Sequence, residues 1–512
     1  MTLPVAQDVP SEILPPTASE PRYARVLRRV FGRHLMDMAI LLLLPLIFSG
    51  LSHREGALGD PDIWWHLANA RILCDGHHFI RIEPYSFTVA GARWVNPEWL
   101  AEVPFWFGYK ATGLVGIYFV AWLAVCLNVL GIYWRSYWSC RNAGVALWIS
   151  ALGFVLMSVN TGVRTILFGY LALTAQLAIL EMIERGHRRV VWLLPPLFCV
   201  WINLHGSWII GLGLLVLYTA CGSFNVNAGM FQQERHTPEQ RNRLLLIMAA
   251  SVAMLFVNPY GWSLVWNPID MALNQTLNIA NVIEWQPLNL GWLVGKAALL
   301  AIGLTVLANA INGRRWKIYE MVFVFFAWYA AFDHARFTFL ASVIVIPMLA
   351  TDMTRSFFPV SNPKTIPLMN GLVTACMVGV IVWYFPSKNM IEKGFQKQFP
   401  FQLIGSVQPS WRTLNEEHIG GIMDFSSKAT FIDTRWDTFE HHGVMQDYLE
   451  IFRIQNSLPL LDKYRIDHVL VHKNEPLAYV LEHAAGWTIV QTESTAGDAY
   501  VLLLKPTLPS SK

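Results

Sequence analysis

Two carboxylates split by a proline are the first residues in this chain that could do chemistry: Asp60-Pro61-Asp62, followed by Ile63-Trp64-Trp65-His66. If a helix starts here, Asp62, His66 and Asn69 fall at i, i+4 and i+7 on one polar face. Ile63, Leu67, Ala70 and Cys74 make the opposite, apolar face, as in a helix lying along a membrane surface. Paired carboxylates there could act as a general base or hold a divalent cation such as Mg or Mn, with Asp62 and His66 as its ligands. A plainer reading of Asp60-Pro61 is a helix cap followed by proline at the first helical position.

Asn96-Pro97 repeats that pattern and predicts a second interfacial helix, with Glu98 and Glu102 sharing one face. On its own, that face reads as solvated. Further along, ionisable residues stand at the ends of apolar runs: Arg164, His205 after Asn203, Glu284 in Glu284-Trp285-Gln286-Pro287, and His334 and Arg336 in Asp333-His334-Ala335-Arg336. A charge at membrane depth costs about 2.5–3.5 kcal/mol or more. Each could be an interfacial anchor. Together, His66, Glu98, Glu102, Arg164, His205, Glu284, His334 and Arg336 are candidates to line one substrate cavity.

The elements that must position these residues are membrane spans. Of 512 residues, 54% are hydrophobic and 14% charged, against roughly 25% charged in a soluble domain. The 22 tryptophans suit helix ends at a membrane–water interface. The net charge of +3 argues neither for nor against a nucleic-acid partner. The six cysteines lie mostly in apolar segments, which argues against a disulfide framework. No cleavable signal peptide is recognisable.

Apolar runs long enough to cross roughly 30 Å of hydrocarbon fall at 35–52, 112–134, 143–160, 164–184, 190–204, 208–223, 243–258, 291–311, 317–333, 337–351 and 366–386, about eleven in all. Leu204-His205-Gly206-Ser207 is either a turn between two short spans or a break inside one. Basic residues gather in the N-terminal tail and in alternate loops, for example Arg185, Arg188 and Arg189, then Arg314, Arg315 and Lys317, while the loop 259–290 has none. The positive-inside rule then places the N-terminus in the cytoplasm and the C-terminal domain outside. The expected fold is an α-helical polytopic membrane protein. It comprises a disordered basic tail at 1–34, a transmembrane domain at 35–386 with a first outer loop at 53–111, and a small soluble α/β domain at 387–512. In that last domain strands are predicted at Thr430–Asp433, His468–His472, Thr488–Thr492 and Tyr500–Leu504, with helices at Gly443–Phe452 and Pro476–Ala485. Asp433, Arg435 and Asp437 form a polar cluster that reads equally as a functional loop or a structural salt bridge.

A first span followed by a long outer loop with acidic residues and two interfacial helices resembles the GT-C class of membrane glycosyltransferases. The strings DPDIWWHLANARIL, EPYSFTVAGARWVNPEWLAEV, WINLHGSWIIGLGLL, NPYGW, EWQP and DTRWD resemble a large group of bacterial GT-C-like membrane proteins over most of the chain. The resemblance implies an enzyme of the bacterial cytoplasmic (inner) membrane that moves a sugar from a polyprenyl-phosphate donor to a glycolipid, polysaccharide or protein, with inversion and with no nucleic-acid partner. It carries the acceptor-activating aspartate onto Asp60 or Asp62, and the phosphate-stabilising role onto Arg164, Arg336 and His334. The chain departs from the wider class in its proline-split pair and in lacking a Trp-Trp-Asp signature at the start of the C-terminal domain. Two other readings stand beside this one: a lipid-linked-sugar transporter, which would show internal repeats, and a non-catalytic scaffold of an envelope-polysaccharide assembly.

Overall fold

The computed structural model describes residues 33–52 (without the side chains of 49–52), 60–359, 366–495 and 498–506. The disordered-tail expectation for residues 1–32 and the basic residue Lys364 lie outside the described residues.

Every predicted apolar run forms helix. The bundle is built from α1 (Arg33–Ser52), α2 (Asp62–Cys74), α3 (Trp99–Thr112), α4 (Leu114–Cys140), α5 (Ala143–Met157), α6 (Ile166–Glu184), α7 (Leu194–Leu204), α8 (Trp208–Cys221), α9 (Pro238–Met254), α10 (Trp262–Asn274), α11 (Thr276–Asn281), α12 (Leu293–Asn312), α13 (Ile318–Asp333), α14 (Thr338–Ser356) and α15 (Pro367–Tyr384). Among the described residues, six segments are long and apolar enough to cross a membrane: Leu114–Cys140, Ala143–Asn160, Ile166–Glu184, Leu293–Asn312, Ala335–Ser356 and Pro367–Tyr384. Helices α7, α8, α9 and α13 have 11, 14, 17 and 16 residues. At 1.5 Å per residue they fall short of roughly 30 Å. Local signals explain several ends. Asn142 caps α5 by accepting the Val145 N–H at 3.2 Å, and Arg141 ends α4 at φ 57. Thr237 and Gln240 form a capping box at the start of α9, with Pro238 following the cap.

Helix α14 is the centre of the bundle, packed against α4, α5, α12 and α13. Helix α15 pairs with α1 at the margin and leaves Trp383 and Leu368 bare, the surface a lipid-facing helix presents. The Arg-rich loops meet at one end, where Arg188, Arg235, Arg243, Arg315 and Lys317 line one cleft. Leu204–Ser207 is a turn between two short helices, because Pro195 and Pro196 start α7 and His205 ends it in extended conformation.

The C-terminal segment contains α16 (Lys388–Gln398), α17 (Phe401–Ser406), β3 (Thr413–Asn415), α18 (Glu417–Phe425), α19 (Trp436–Glu440), α20 (Val444–Phe452), α21 (Ser457–Lys463), β4 (His468–His472), α22 (Pro476–His483), β5 (Thr488–Ser494) and β6 (Ala499–Leu504), after a small hairpin of β1 (Val226–Ala228) and β2 (Phe231–Gln233) in the bundle. Its sheet has the order β3-β4-β6-β5, with β3 parallel to β4 and the other pairs antiparallel. The predicted strand at Thr430–Asp433 does not join it. Thr430 bridges instead to Ser86 of the first loop, and the Phe87 N–H donates to the Thr430 carbonyl at 3.1 Å.

Candidate functional site

Helix α2 is not the half-exposed surface helix its pattern predicts. Ile63 through Ala70 are all buried. One side meets α3, and the other is covered by α18. Gly421 makes that cover possible: a Cβ there would stand 3.0 Å from the Pro61 carbonyl and 3.3 Å from the Trp65 nitrogen. Trp64 is enclosed by Phe395, Phe401 and Phe425.

A cavity of about 530 Å³ opens beside the N-terminus of α2, walled by the first loop, the turns at 164–166 and 281–285, Arg336 and the C-terminal segment. Eight sequence candidates line it: Asp60, Asp62, His66, Glu98, Arg164, His205, Glu284 and Arg336. Two do not. Glu102 is fully buried behind His66, where its Oε1 accepts from His66 and Asn69 at 2.9 and 3.1 Å and its Oε2 from Asn96 at 2.7 Å. The expected solvated Glu98/Glu102 face is therefore an interior one. His334 turns away, with Nδ1 2.5 Å from the Trp285 carbonyl.

The two aspartates differ. Asp60 is committed: one carboxylate oxygen accepts the Asp62 N–H at 3.1 Å and the other pairs with Arg164, which also holds Glu284. Arg164 thereby spans two carboxylates, which hold its pKa up against the opposing effect of burial. Asp62 faces the cavity. Burial, aided by the Asp60 charge, raises its pKa to about 6 against the opposing effects of Arg164, Thr434 and His66.

His66 donates or accepts at both nitrogens: Nδ1 to Glu102, and Nε2 at 3.4 Å from Thr165 Oγ1 and 3.5 Å from Glu98. Burial opposes its charge, but the Glu102 hydrogen bond and the nearby carboxylates outweigh it and raise its pKa. With Asp60 held by Arg164, Asp62 and His66 bring only two donors to the cavity, too few by themselves for the oxygen-rich shell of the expected Mg or Mn ion. His205 accepts the Ser207 N–H at Nδ1 (2.9 Å), so its proton sits on Nε2, facing Glu98 at 3.2 Å. Burial lowers its pKa.

Arg336 stands apart. Its guanidinium carbon lies 4.1 Å over the Trp285 ring, and among the described residues no carboxylate is within ion-pair distance of it. Burial opposes its charge, and Glu284 and Glu98 offset that only from a distance.

The Asp433–Asp437 cluster divides. Arg435 donates twice to Glu83 at 2.8 and 3.0 Å and to Asp433 at 2.9 and 2.5 Å. That part is a buried tie to the first loop. Asp437 lines the cavity, and burial raises its pKa to about 6. Sequence reasoning missed Thr165 and Thr434, although both sit inside or beside motifs it singled out.

No protein-family model and no curated protein sequence matches the chain. Solved structures do. The archaeal oligosaccharyltransferase AglB from Archaeoglobus fulgidus, in complex with an inhibitory peptide and a dolichol-phosphate, aligns with TM-score 0.53 at 9% identity, over 96% of this chain and 76% of that one. ArnT from Cupriavidus metallidurans, bound to undecaprenyl phosphate, aligns with TM-score 0.49 at 11% identity, over 94% of this chain and 98% of that one. The likeness to AglB establishes a GT-C-like fold.

Proposed function

We propose that this chain is an integral membrane glycosyltransferase that takes a sugar from a polyprenyl-phosphate donor and transfers it, with inversion, to an extracytoplasmic acceptor. In this reading the chain crosses the cytoplasmic membrane about eleven times, with the Arg-rich end in the cytoplasm and the C-terminal domain outside. The observation that carries the reading is that one cavity holds both Asp62, whose carboxyl pKa is raised to about 6, and Arg336, whose guanidinium has no carboxylate at ion-pair distance among the described residues. The dolichol-phosphate bound to AglB supports a lipid-phosphate donor.

Asp62 takes the proton from the acceptor hydroxyl. The acceptor oxygen attacks the anomeric carbon as the bond to the lipid phosphate breaks, and the leaving phosphate keeps the electron pair. Arg336 neutralises that charge. Asp60 does not touch substrate in this scheme: it positions Arg164 and caps α2. Because Arg164 is shared between Asp60 and Glu284, it supports the field without carrying the phosphate alone.

The experiment is turnover of a panel of radiolabelled polyprenyl-phosphate sugars by purified protein and by Asp62→Asn. Turnover by the wild type that Asp62→Asn loses while still folded and still binding donor supports the reading. Equal turnover by both removes Asp62 from the mechanism, and no donor binding by the wild type removes the transferase.

A further inference from the structure

A second group of donor side chains lies in the C-terminal segment. Strands β3 and β4 run parallel. The residue after β3 is Glu416, the last residue of β4 is His472, and His418 follows in the first turn of α18. One Glu416 oxygen, Oε2, lies 2.6 Å from His472 Nδ1 and 3.5 Å from His418 Nδ1. One ligand atom from each of the three residues lies within 4.8 Å of the others. The carboxylate is fixed: Glu416 is 4% exposed and its Oε1 accepts the His472 backbone N–H at 2.8 Å.

A hydrogen-bonded Glu–His pair would account for His472. It does not account for a second imidazole whose Nδ1 is aimed at the same oxygen. Nor does it account for that ring being held from behind, with its Nε2 3.1 Å from the Tyr500 hydroxyl. The two rings lie near parallel, 29° apart with centroids at 5.5 Å. Two imidazole nitrogens and one carboxylate oxygen, with an outer partner orienting one ring, make the donor set of a zinc-class cation.

We propose that Glu416, His418 and His472 bind a divalent transition-metal ion of the zinc class. The site is separate from the Asp62 carboxylate and does not depend on the transferase reading. Three protein donors leave a coordination place for water or a substrate oxygen. His418 also lines the cavity, so the ion stands in its C-terminal wall. It ties the end of β4 to α18, the helix that covers α2. Metal binding needs neutral imidazoles and an ionised carboxylate and is therefore weaker in acid.

The test uses the purified full-length chain, stripped with chelator and titrated with Co²⁺ and then Zn²⁺. The expected result is one Co²⁺ per chain with visible ligand-field absorption, displaced by Zn²⁺, and a Zn²⁺-dependent rise in unfolding temperature. His418→Ala and His472→Ala each weaken binding by roughly tenfold or more, while Asp62→Asn leaves it unchanged. If either alanine variant fails to fold, His418→Gln and Glu416→Gln serve in its place. Absence of stoichiometric binding by the wild type at about 100 μM metal, or equal binding by the wild type and the His418 and His472 variants, overturns the proposal.

Discussion

Arg435 and Glu83 are 352 positions apart in the chain and share two parallel hydrogen bonds of 2.8 and 3.0 Å, with both side chains buried. The C-terminal segment is thereby fastened to the first loop at the cavity's edge. Removing Arg435 strands both Glu83 and Asp433, whereas removing the Glu83 charge leaves Arg435 bonded to Asp433. Arg435→Met is expected to cost about 3–5 kcal/mol, and Glu83→Gln less, seen as a lower unfolding temperature and earlier proteolytic loss of the C-terminal segment. The double variant Glu83→Gln/Arg435→Met is expected to cost less than the sum of the single changes. Strict additivity would mean that the two residues act independently.

The Asp62 carboxyl sets two pH dependences. Activity is expected to fall as pH drops through about 6, where the base takes up a proton. Asp62→Asn is expected to lower turnover by roughly 10²–10⁴. Stability runs the other way. The folded pKa lies above the unfolded value of 3.8, so between these two values the native state binds more protons and loses stability as pH rises. Asp437, raised to about 6 by burial, adds in the same direction. Unfolding temperature measured from pH 4 to pH 7 should therefore show a smaller alkaline-side loss in Asp62→Asn than in the wild type. An identical profile would place the Asp62 pKa near its ordinary value.

Arg336 and Arg164 are expected to separate binding from architecture. A charge-assisted hydrogen bond is worth about 1.5–3 kcal/mol, so Arg336→Met should weaken polyprenyl-phosphate binding roughly 10- to 150-fold. Its unfolding temperature should hold, since no carboxylate is left stranded. Arg164→Met strands Asp60 and Glu284 together and should lower the unfolding temperature. Calorimetric titration with undecaprenyl phosphate and a thermal melt on both variants check the contrast. Equal donor affinity in Arg336→Met and the wild type would leave the phosphate without its assigned cation.

Gly421 is expected to tolerate no side chain. Gly421→Val must push α18 off Pro61 and Trp65, an overpacking cost of about 1–3 kcal/mol. Trp64 and Trp65 are then less shielded, and increased quenching of tryptophan fluorescence by acrylamide reports it. A melt and a quenching curve that match the wild type would show that α2 and α18 do not touch in solution.

Apolar run length made the helices of the bundle legible, because a 3.6-residue period and hydrocarbon thickness act locally. The end-of-run charges Arg164, His205, Glu284 and Arg336 could be nominated for the same reason. The true burial of α2 could not be read, because its cover comes from Gly421 and Phe425 far along the chain. Glu102 and His334 were nominated with the others because residue type does not reveal which way a side chain turns. Thr430–Asp433 has strand composition, yet its backbone partner is Ser86 in another part of the chain. The three-residue strand β3 is too short for any alternation to show.

The cover over α2 also sets an order of events during synthesis. Asp62 emerges some 359 residues before Gly421, counted from their positions in the chain. At roughly 5–20 residues per second, Trp64 and Trp65 wait about 20–70 s, counted from that same rate, before their lid exists. For that interval the first loop is an unprotected aromatic surface beside the translocation machinery. The part of the molecule that holds Asp62 is made among the first and completed among the last, so a ribosome stalled between α15 and α18 leaves a complete set of bundle helices with an unfinished pocket.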